Sequence, residues 1–347
     1  MNFLAPVAFL DVSKSLPVVD VRSPAEYRQG HIPGAINMPL FDDEERKITG
    51  TLYKNSGRYD SFLRGLEFVG PKLAHFVKQA HKAAPKHSLA LHCWRGGLRS
   101  QSMAWLLATA GFQISVLEGG YKAYRRHVLE SFSNSPQLLV LGGMTGSGKS
   151  LILRELAQKG EQIIDLEALA NHKGSAFGGI GYDRQPTNEQ FENNLCAVIS
   201  LLDPEKTTWI EDESQGIGRV QIPAGLYRKM RSAPVVLIEL SPKIRVSRLV
   251  NEYGEIQTEL LRLSIDLIAK RLGGQNTKKA LEALDKKDFK MAAAILLSYY
   301  DKAYLSGLSK RTAESIYPLK FRLDDPEKNA AKIRHRIKKM NLLTNLA

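Results

Sequence analysis

Short, dense apolar runs alternate along this chain with stretches whose apolar residues fall at helical spacing. Val18-Val19-Asp20-Val21, Leu89-Ala90-Leu91, Ile114-Ser115-Val116-Leu117, Leu138 to Leu141, Ile163-Ile164, Trp209-Ile210 and Val235 to Leu240 each predict a short buried strand. Between them, Met103, Leu106 and Leu107, then Leu151, Leu153 and Leu156, then Phe191, Leu195, Val198, Ile199 and Leu202 predict helices with one apolar face. Strand and helix alternating in this way is the signature of an α/β protein with parallel sheets. The polar stretch Ser131-Phe132-Ser133-Asn134-Ser135-Pro136 reads as a linker. It divides an α/β unit over 1–130 from a second one over 137–250. From 251 to 347 the pattern is helical and basic, without heptads or repeats.

Composition narrows the setting. Among 347 residues there are two cysteines, Cys93 and Cys196, too few for a disulfide framework, so a reducing cytoplasm is expected. Cys196 lies beside the apolar stripe of its helix and reads as structural. The start, Met-Asn-Phe-Leu-Ala-Pro, lacks a basic segment followed by an apolar core, and the apolar run Ala292 to Tyr300 is too short to span a bilayer. The expectation is a soluble protein with no membrane partner, and a monomer.

Charge adds a partner. The formal net charge is +13, and from Ser241 to Ala347 there are 22 Lys and Arg against 12 Asp and Glu. The excess is densest at Lys332, Arg334, Arg336, Lys338 and Lys339. A polyanion such as RNA would be held there by phosphate contacts; a solvated helix face is the alternative.

The first candidate for chemistry is Leu-His-Cys-Trp-Arg-Gly-Gly-Leu-Arg-Ser, residues 91–100. A strand delivers Cys93 to a loop that opens into a helix. The loop amides around Gly96 and Gly97, the helix dipole and the cations Arg95 and Arg99 all favour a thiolate nucleophile. Five residues separate Cys93 from Arg99, room for a bound oxyanion.

The second is Gly-Met-Thr-Gly-Ser-Gly-Lys-Ser, residues 143–150, directly after a predicted strand and before a predicted helix. This is a P-loop in its required context. Gly143, Gly146 and Gly148 let backbone N–H groups wrap a phosphate, Lys149 neutralises its outer oxygens, and Ser150 can hold magnesium. An acidic partner is expected at a later strand end, first at Asp212 or Glu211 and second at Asp165, with the ion placed between Ser150 and Asp212. The loop Asn171 to Gly179 is suited to close over a ligand, with His172 as a possible contact.

Two levels of resemblance follow. Asp-Val-Arg-Ser-Pro-Ala-Glu-Tyr from Asp20 and Gly-His-Ile-Pro-Gly-Ala-Ile-Asn-Met-Pro from Gly30 resemble the opening of a rhodanese domain, with Cys93 at that family's chalcogen-accepting position. Many single rhodanese domains place four residues, not five, between that Cys and the next Arg. His92-Cys93, five residues, then Arg99-Ser100 also fits Cys-dependent phosphatases, which need a general acid; Asp42 and Asp43 are the nearest candidates. A persulfide relay with a nucleotide switch is a third possibility.

Rhodanese followed by P-loop and a basic end resembles the tRNA 2-selenouridine synthase family over nearly the whole chain. Beyond the two loops, the resemblance is carried by residues 42–46 and 50–54, by Leu117-Glu118-Gly119-Gly120-Tyr121-Lys122-Ala123-Tyr124, by Ala170 to Gly178, and by Glu211-Asp212-Glu213-Ser214. It implies a transferase that replaces the sulfur of wobble 2-thiouridine in tRNAs for Lys, Glu and Gln with selenium from selenophosphate. The route implied runs through an S-geranyl intermediate made from geranyl diphosphate. No tightly bound cofactor is expected, with magnesium as an accessory. The P-loop suits either ATP or GTP, or the diphosphate of geranyl diphosphate; the second is favoured because the reaction shows no need for nucleotide hydrolysis.

Overall fold

The computed structural model describes residues 1–134 and 136–340. Ser135 of the expected linker and residues 341–347 of the expected basic region lie outside them. The chain divides into two compact units, Met1–Ser131 with Glu192–Asn194, and Phe132–Phe191 continued from Leu195 onward.

The first unit runs β1 (Asn2–Leu4), α1 (Pro6–Val12), β2 (Val18–Asp20), α2 (Pro24–Gln29), β3 (Ile36–Asn37), α3 (Asp43–Asn55) and α4 (Arg58–Val69). It continues with α5 (Leu73–Ala83), β4 (Ser88–His92), α6 (Leu98–Thr109), β5 (Gln113–Leu117) and α7 (Gly120–Ser131). The five strands pair in parallel in the order β1-β5-β4-β2-β3. Val19, Leu89, Leu91, Ile114 and Val116 pack against Phe76 and Ala80 of α5 and Met103, Ala104 and Leu107 of α6. Such parallel strands are covered by helices and read as unbroken apolar runs, which is why they are visible in the sequence.

Between β3 and α5, α3 and α4 form a helical hairpin. Its acidic start is a helix start: Asp42 accepts from the Glu45 N–H at 2.8 Å while Glu45 accepts from the Asp42 N–H at 3.0 Å, a complete capping box. Asp43, Glu44 and Glu45 then fill the first turn, where the dipole favours negative charge.

The second unit runs β6 (Leu138–Gly143), α8 (Lys149–Gln158), β7 (Gln162–Ile164), α9 (Leu166–Ala170), α10 (Asn188–Ile199), β8 (Thr208–Glu211) and the short pair β9 (Gly216–Ile217) and β10 (Val220–Gln221). Then come α11 (Ala224–Ser232), β11 (Val235–Glu239), α12 (Pro242–Tyr253), α13 (Thr258–Leu272), α14 (Gly274–Asp285), α15 (Phe289–Leu308), β12 (Ile316–Lys320) and α16 (Pro326–Lys339). Its main sheet is parallel throughout, in the order β12-β11-β6-β8-β7.

Residues 251–340 are mostly helical, with one difference from expectation: β12 returns to pair with β11 along five residues. It carries Pro318, which an edge strand tolerates, and this hid it from the periodicity. Ala330, Ile333 and Ile337 of α16 join Leu139, Leu153, Trp209 and Val236 in the sheet's core, so the basic helix has a buried face. A separate core, including Leu261, Ile265, Ile268 and Leu284, holds α13 to α15 together between the last two strands.

Candidate functional site

In the first unit β4 ends at His92 and the loop begins at Cys93, whose side chain is buried. Cys93 donates to Ser100 Oγ at 3.2 Å, and Ser100 Oγ donates to the Gly97 carbonyl at 3.0 Å. The far side of the loop is held by the start of α7: the Tyr121 N–H donates to Cys93 O at 2.8 Å and the Lys122 N–H to Trp94 O at 2.9 Å. This contact explains Gly119-Gly120. Gly120 has φ +62°, and a Cβ on it would lie 2.5 Å from both Cys93 O and Gly96 N. Only glycine lets α7 approach the loop this closely.

Beneath the loop, Arg22 grips Asp20 with contacts from 2.6 Å and donates to Gly30 O at 2.7 Å, while its guanidinium lies 3.7 Å from the centre of the Tyr121 ring. Burial pushes the Asp20 carboxyl up, but His92 and the Arg22 contacts outweigh it and hold the carboxyl below its ordinary value. His92, 3.7 Å from Asp20, is pushed below its ordinary value by burial, with Asp20 opposing, and stays neutral at physiological pH.

The two arginines differ. Arg95 is exposed and makes no ion pair among the described residues. Arg99 is bonded to Glu26 at 2.6 and 3.2 Å, so a carboxylate shares its charge. The two acids considered for a phosphatase both hold structural contacts. Asp42 caps α3, and Asp43 accepts from the Ala25 N–H and from Arg28, contacts that hold its carboxyl below the ordinary range.

In the second unit the P-loop spans β6 and α8, with Gly146 and Gly148 at φ +77° and +78°. Lys149 Nζ donates to Gly143 O at 3.0 Å. The loop is braced from α12: Arg245, 2% exposed, donates to Thr145 O at 3.2 Å and binds Asp301 in a fork at 2.8 and 2.7 Å. Arg248 lies against Gly148, where a Cβ would be 2.9 Å from its guanidinium, and it pairs with Asp324.

The acidic residues are placed differently from expectation. Asp212 accepts from Arg311 at 2.9 Å and from Tyr304 Oη at 2.9 Å, and Tyr304 Oη in turn accepts from the Gly143 N–H. It is an anchor between β8, α15 and the start of the P-loop, not a free magnesium ligand beside Ser150. Asp165 caps α9 and pairs with Arg154. The carboxylate that Ser150 does touch is Glu167, at 2.5 Å. Glu167, Glu211 and Glu213 place an oxygen each within 4.8 Å of one another. Burial, then the neighbouring acids Glu167, Asp165 and Glu213, push the Glu211 carboxyl up strongly; burial raises Glu213 to about 8 against the pull of Lys149.

Beside the P-loop opens a cavity of about 930 Å³. Its lining includes Gly143 and Thr145 to Leu151 of the P-loop, the apolar Leu249, Leu261, Ile265, Leu284, Phe289 and Leu296, and polar groups such as Lys173, Arg248 and Glu252. The P-loop thus shares this cavity with apolar side chains of α12 to α15. Lys173 projects from the loop after α9, pairs with Glu252 and lies 5.5 Å from the Tyr253 ring centre. His172 lies on the same loop, half-buried, and accepts from the Gly174 N–H at 3.1 Å.

The basic helix α16 carries Lys332, Arg336, Lys338 and Lys339 on exposed positions, whereas Arg334 is half-buried against Glu161 at 2.6 Å. Sequence reasoning missed Glu167, Arg245, Arg248, Tyr304 and Arg311. No motif marks them, because they come from α9, α12, α15 and the segment just after α15, far from the P-loop in sequence.

The model of the tRNA 2-selenouridine synthase AAA domain matches residues 136–322, and that of the rhodanese-like domain matches 8–127. The tRNA 2-selenouridine synthase of Bdellovibrio bacteriovorus is 35% identical over 86% of this chain and 90% of its own length. That of Bordetella petrii is 35% identical over 88% and 90%. A crystal structure of an N-terminal domain from Clostridium difficile 630 is 36% identical, covers 37% of this chain and 99% of that one, and superposes with a TM-score of 0.33. With relatives this similar along nearly their whole length, the chain belongs to the tRNA 2-selenouridine synthase family.

Proposed function

We propose that this enzyme converts wobble 2-thiouridine in tRNAs for Lys, Glu and Gln to 2-selenouridine, using geranyl diphosphate at the P-loop and selenophosphate at the Cys93 loop. The observation that carries the first half is the cavity: the P-loop opens onto a chamber walled by leucine, isoleucine and phenylalanine side chains. A diphosphate fits the loop amides and Lys149, and a ten-carbon chain fits the apolar wall, where each buried methylene contributes about 0.8 kcal/mol. A nucleoside would instead put ribose and base against that wall.

In the first step the thiouridine sulfur attacks C1 of the geranyl group and the C1–O bond breaks, its electron pair leaving on the diphosphate. Lys149 and the loop N–H groups stabilise the charge that develops there. The alkylated sulfur is a better leaving group. In the second step the selenium of selenophosphate adds to C2 of the base and geranylthiol departs; hydrolysis of the Se–P bond releases phosphate. The amides of residues 93–97 and the exposed Arg95 supply an oxyanion cradle for selenophosphate. The tRNA lies along the exposed cations of α16.

The test is mass spectrometry of nucleosides from 2-thiouridine tRNA incubated with the protein and geranyl diphosphate, with and without selenophosphate. S-geranyl-2-thiouridine is expected without selenophosphate and 2-selenouridine with it. Lys149→Ala should abolish geranylation and leave selenation of pre-geranylated tRNA intact; equal loss of both steps would overturn the assignment of the P-loop.

A further inference from the structure

A second cavity, of about 420 Å³, adjoins the one beside the P-loop: Gly174, Ser175, Ser214 and Tyr300 line both. Its volume falls within the roughly 300–1,000 Å³ of small-molecule sites. Its chemistry differs from that of the first. Leu267, 76% exposed, and Tyr299 give it apolar faces, and the Tyr299 ring is held edge-on to Tyr300 with centroids 5.0 Å apart. Arg271, exposed on α13, adds a cation with no ion pair among the described residues. His172 also lines it. Its Nδ1 accepts from the Gly174 N–H, which leaves the ring proton on Nε2, and burial pushes its pKa below the ordinary value. The imidazole is thus a neutral N–H donor, suited to a carbonyl oxygen. The polar side is fixed in place by Gln185, which donates to Ala170 O at 2.9 Å and Ile217 O at 3.0 Å and accepts from the Arg219 N–H at 2.8 Å. One amide therefore ties the β9–β10 turn to the end of α9, where the His172 loop begins.

We propose that this second cavity receives the target nucleoside of the tRNA, extruded from its stack, with the base against Tyr299 and Leu267, a base carbonyl on His172 Nε2–H and a flanking phosphate at Arg271. A π-face, a neutral donor and a cation are what an unstacked nucleotide needs to be held outside its helix. The shared border gives the arrangement its purpose. A base seated here meets the occupant of the P-loop cavity at Gly174 and Ser175, while the polyanionic backbone of the RNA stays outside the diphosphate site. The loop Asn171 to Gly179 thereby gains a role as the boundary between two substrates. The proposal rests on reading the P-loop cavity as the prenyl diphosphate site, and its test separates the two.

The probe is tRNA carrying 5-bromouridine at the wobble position, irradiated with the full chain in the absence of geranyl diphosphate, with the crosslinked peptide read by mass spectrometry. A crosslink to Tyr299 or to residues 172–176 is expected. In geranylation of 2-thiouridine tRNA, Tyr299→Ala should raise the KM for tRNA at least fivefold and leave the KM for geranyl diphosphate within twofold, whereas Tyr299→Phe should match the parent. Arg271→Gln should raise the KM for tRNA and flatten its salt dependence. Thermal melts identify the variants that fold. A crosslink confined to other residues, or none when filter binding shows the tRNA bound, overturns the nucleoside site. So does a parental KM for tRNA in a folded variant that combines Tyr299→Ala with His172→Phe. If Lys149→Ala leaves geranylation intact while the crosslink stays at Tyr299, the P-loop assignment falls and the nucleoside site stands.

Discussion

Arg311, just beyond the end of α15, donates to the carboxylate of Asp212 at the end of β8 across 2.9 Å, and both side chains are almost fully buried. Arg311 also donates to the carbonyls of Met230, Arg231 and Ala233, so one guanidinium fastens three segments. Arg311→Ala should therefore destabilise the second unit by about 3 kcal/mol or more, since among the described residues it leaves buried Asp212 with only Arg231, at 3.6 Å, as a cation. Chemical denaturation measures it. Pairing Arg311→Met with Asp212→Asn should recover part of the loss, because the uncompensated charge is then gone.

Gly120→Ala should disable selenation while leaving geranylation near its parental rate. The new methyl would lie 2.5 Å from Cys93 O, and φ +62° is itself strained for alanine, so the cysteine loop has to move. Separate single-turnover assays of the two half-reactions distinguish this from general unfolding, which would lower both.

The chamber can be blocked without touching the phosphate loop. Ala293 on α15 lines it, and Ala293→Phe should weaken geranyl diphosphate binding at least tenfold while inorganic diphosphate binding stays within twofold. Leu296→Ala, which enlarges the same wall, should shift preference toward a longer prenyl chain. Calorimetry with geranyl and farnesyl diphosphates reads both effects.

The first unit should lose stability in acid. Burial raises the Glu26 carboxyl, but the Arg99 hydrogen bonds and charge outweigh it and hold it below 4.5; Asp20 is likewise held below 3.8 by His92 and Arg22. Both folded values are depressed, so their contribution is present above the unfolded values and disappears as pH falls through the folded ones. Hydrogen exchange at α2 and α6 should accelerate as pH drops below about 4.5, after correction for intrinsic rates. Glu26→Gln should be less stable at neutral pH and show a shallower acid dependence.

On α16, neutralising Arg336, Lys338 and Lys339 to Gln should weaken tRNA binding and flatten its salt dependence, by about 0.7–0.9 in log–log slope for each tRNA phosphate no longer neutralised. Arg334→Gln should act differently. It breaks the pair with Glu161 and should lower the melting temperature more than it changes the salt slope.

What could be read from the chain beforehand was what is local. The strands β2, β4, β5, β6, β8 and β11 are buried on both faces and announce themselves as apolar runs, and the cysteine and phosphate loops keep all their chemistry within ten residues. The rest depends on distant partners. Asp212 and Glu213 are neighbours in sequence, yet Arg311 and Tyr304 claim the first and leave the second facing Glu167; no spacing rule distinguishes them. Arg99 sits where a thiolate-stabilising cation belongs, but Glu26, seventy-three residues earlier, shares its charge. The apolar chamber was equally hidden, because its leucines have the same helical periodicity as core leucines and only packing reveals that they enclose space.

The position of β12 governs when this enzyme can become active during its own synthesis. The sheet that carries the phosphate loop is completed by residues 316–320, and Tyr304 and Arg311, which brace that loop, also come late. A ribosome that has made the first 250 residues has produced the whole P-loop motif, but not the chamber, its braces or the edge that closes the sheet. The phosphate loop is thus completed only once residues 304–320 have emerged, whereas the cysteine loop and its parallel sheet lie within the first 131 residues and can fold while the second unit is still being translated.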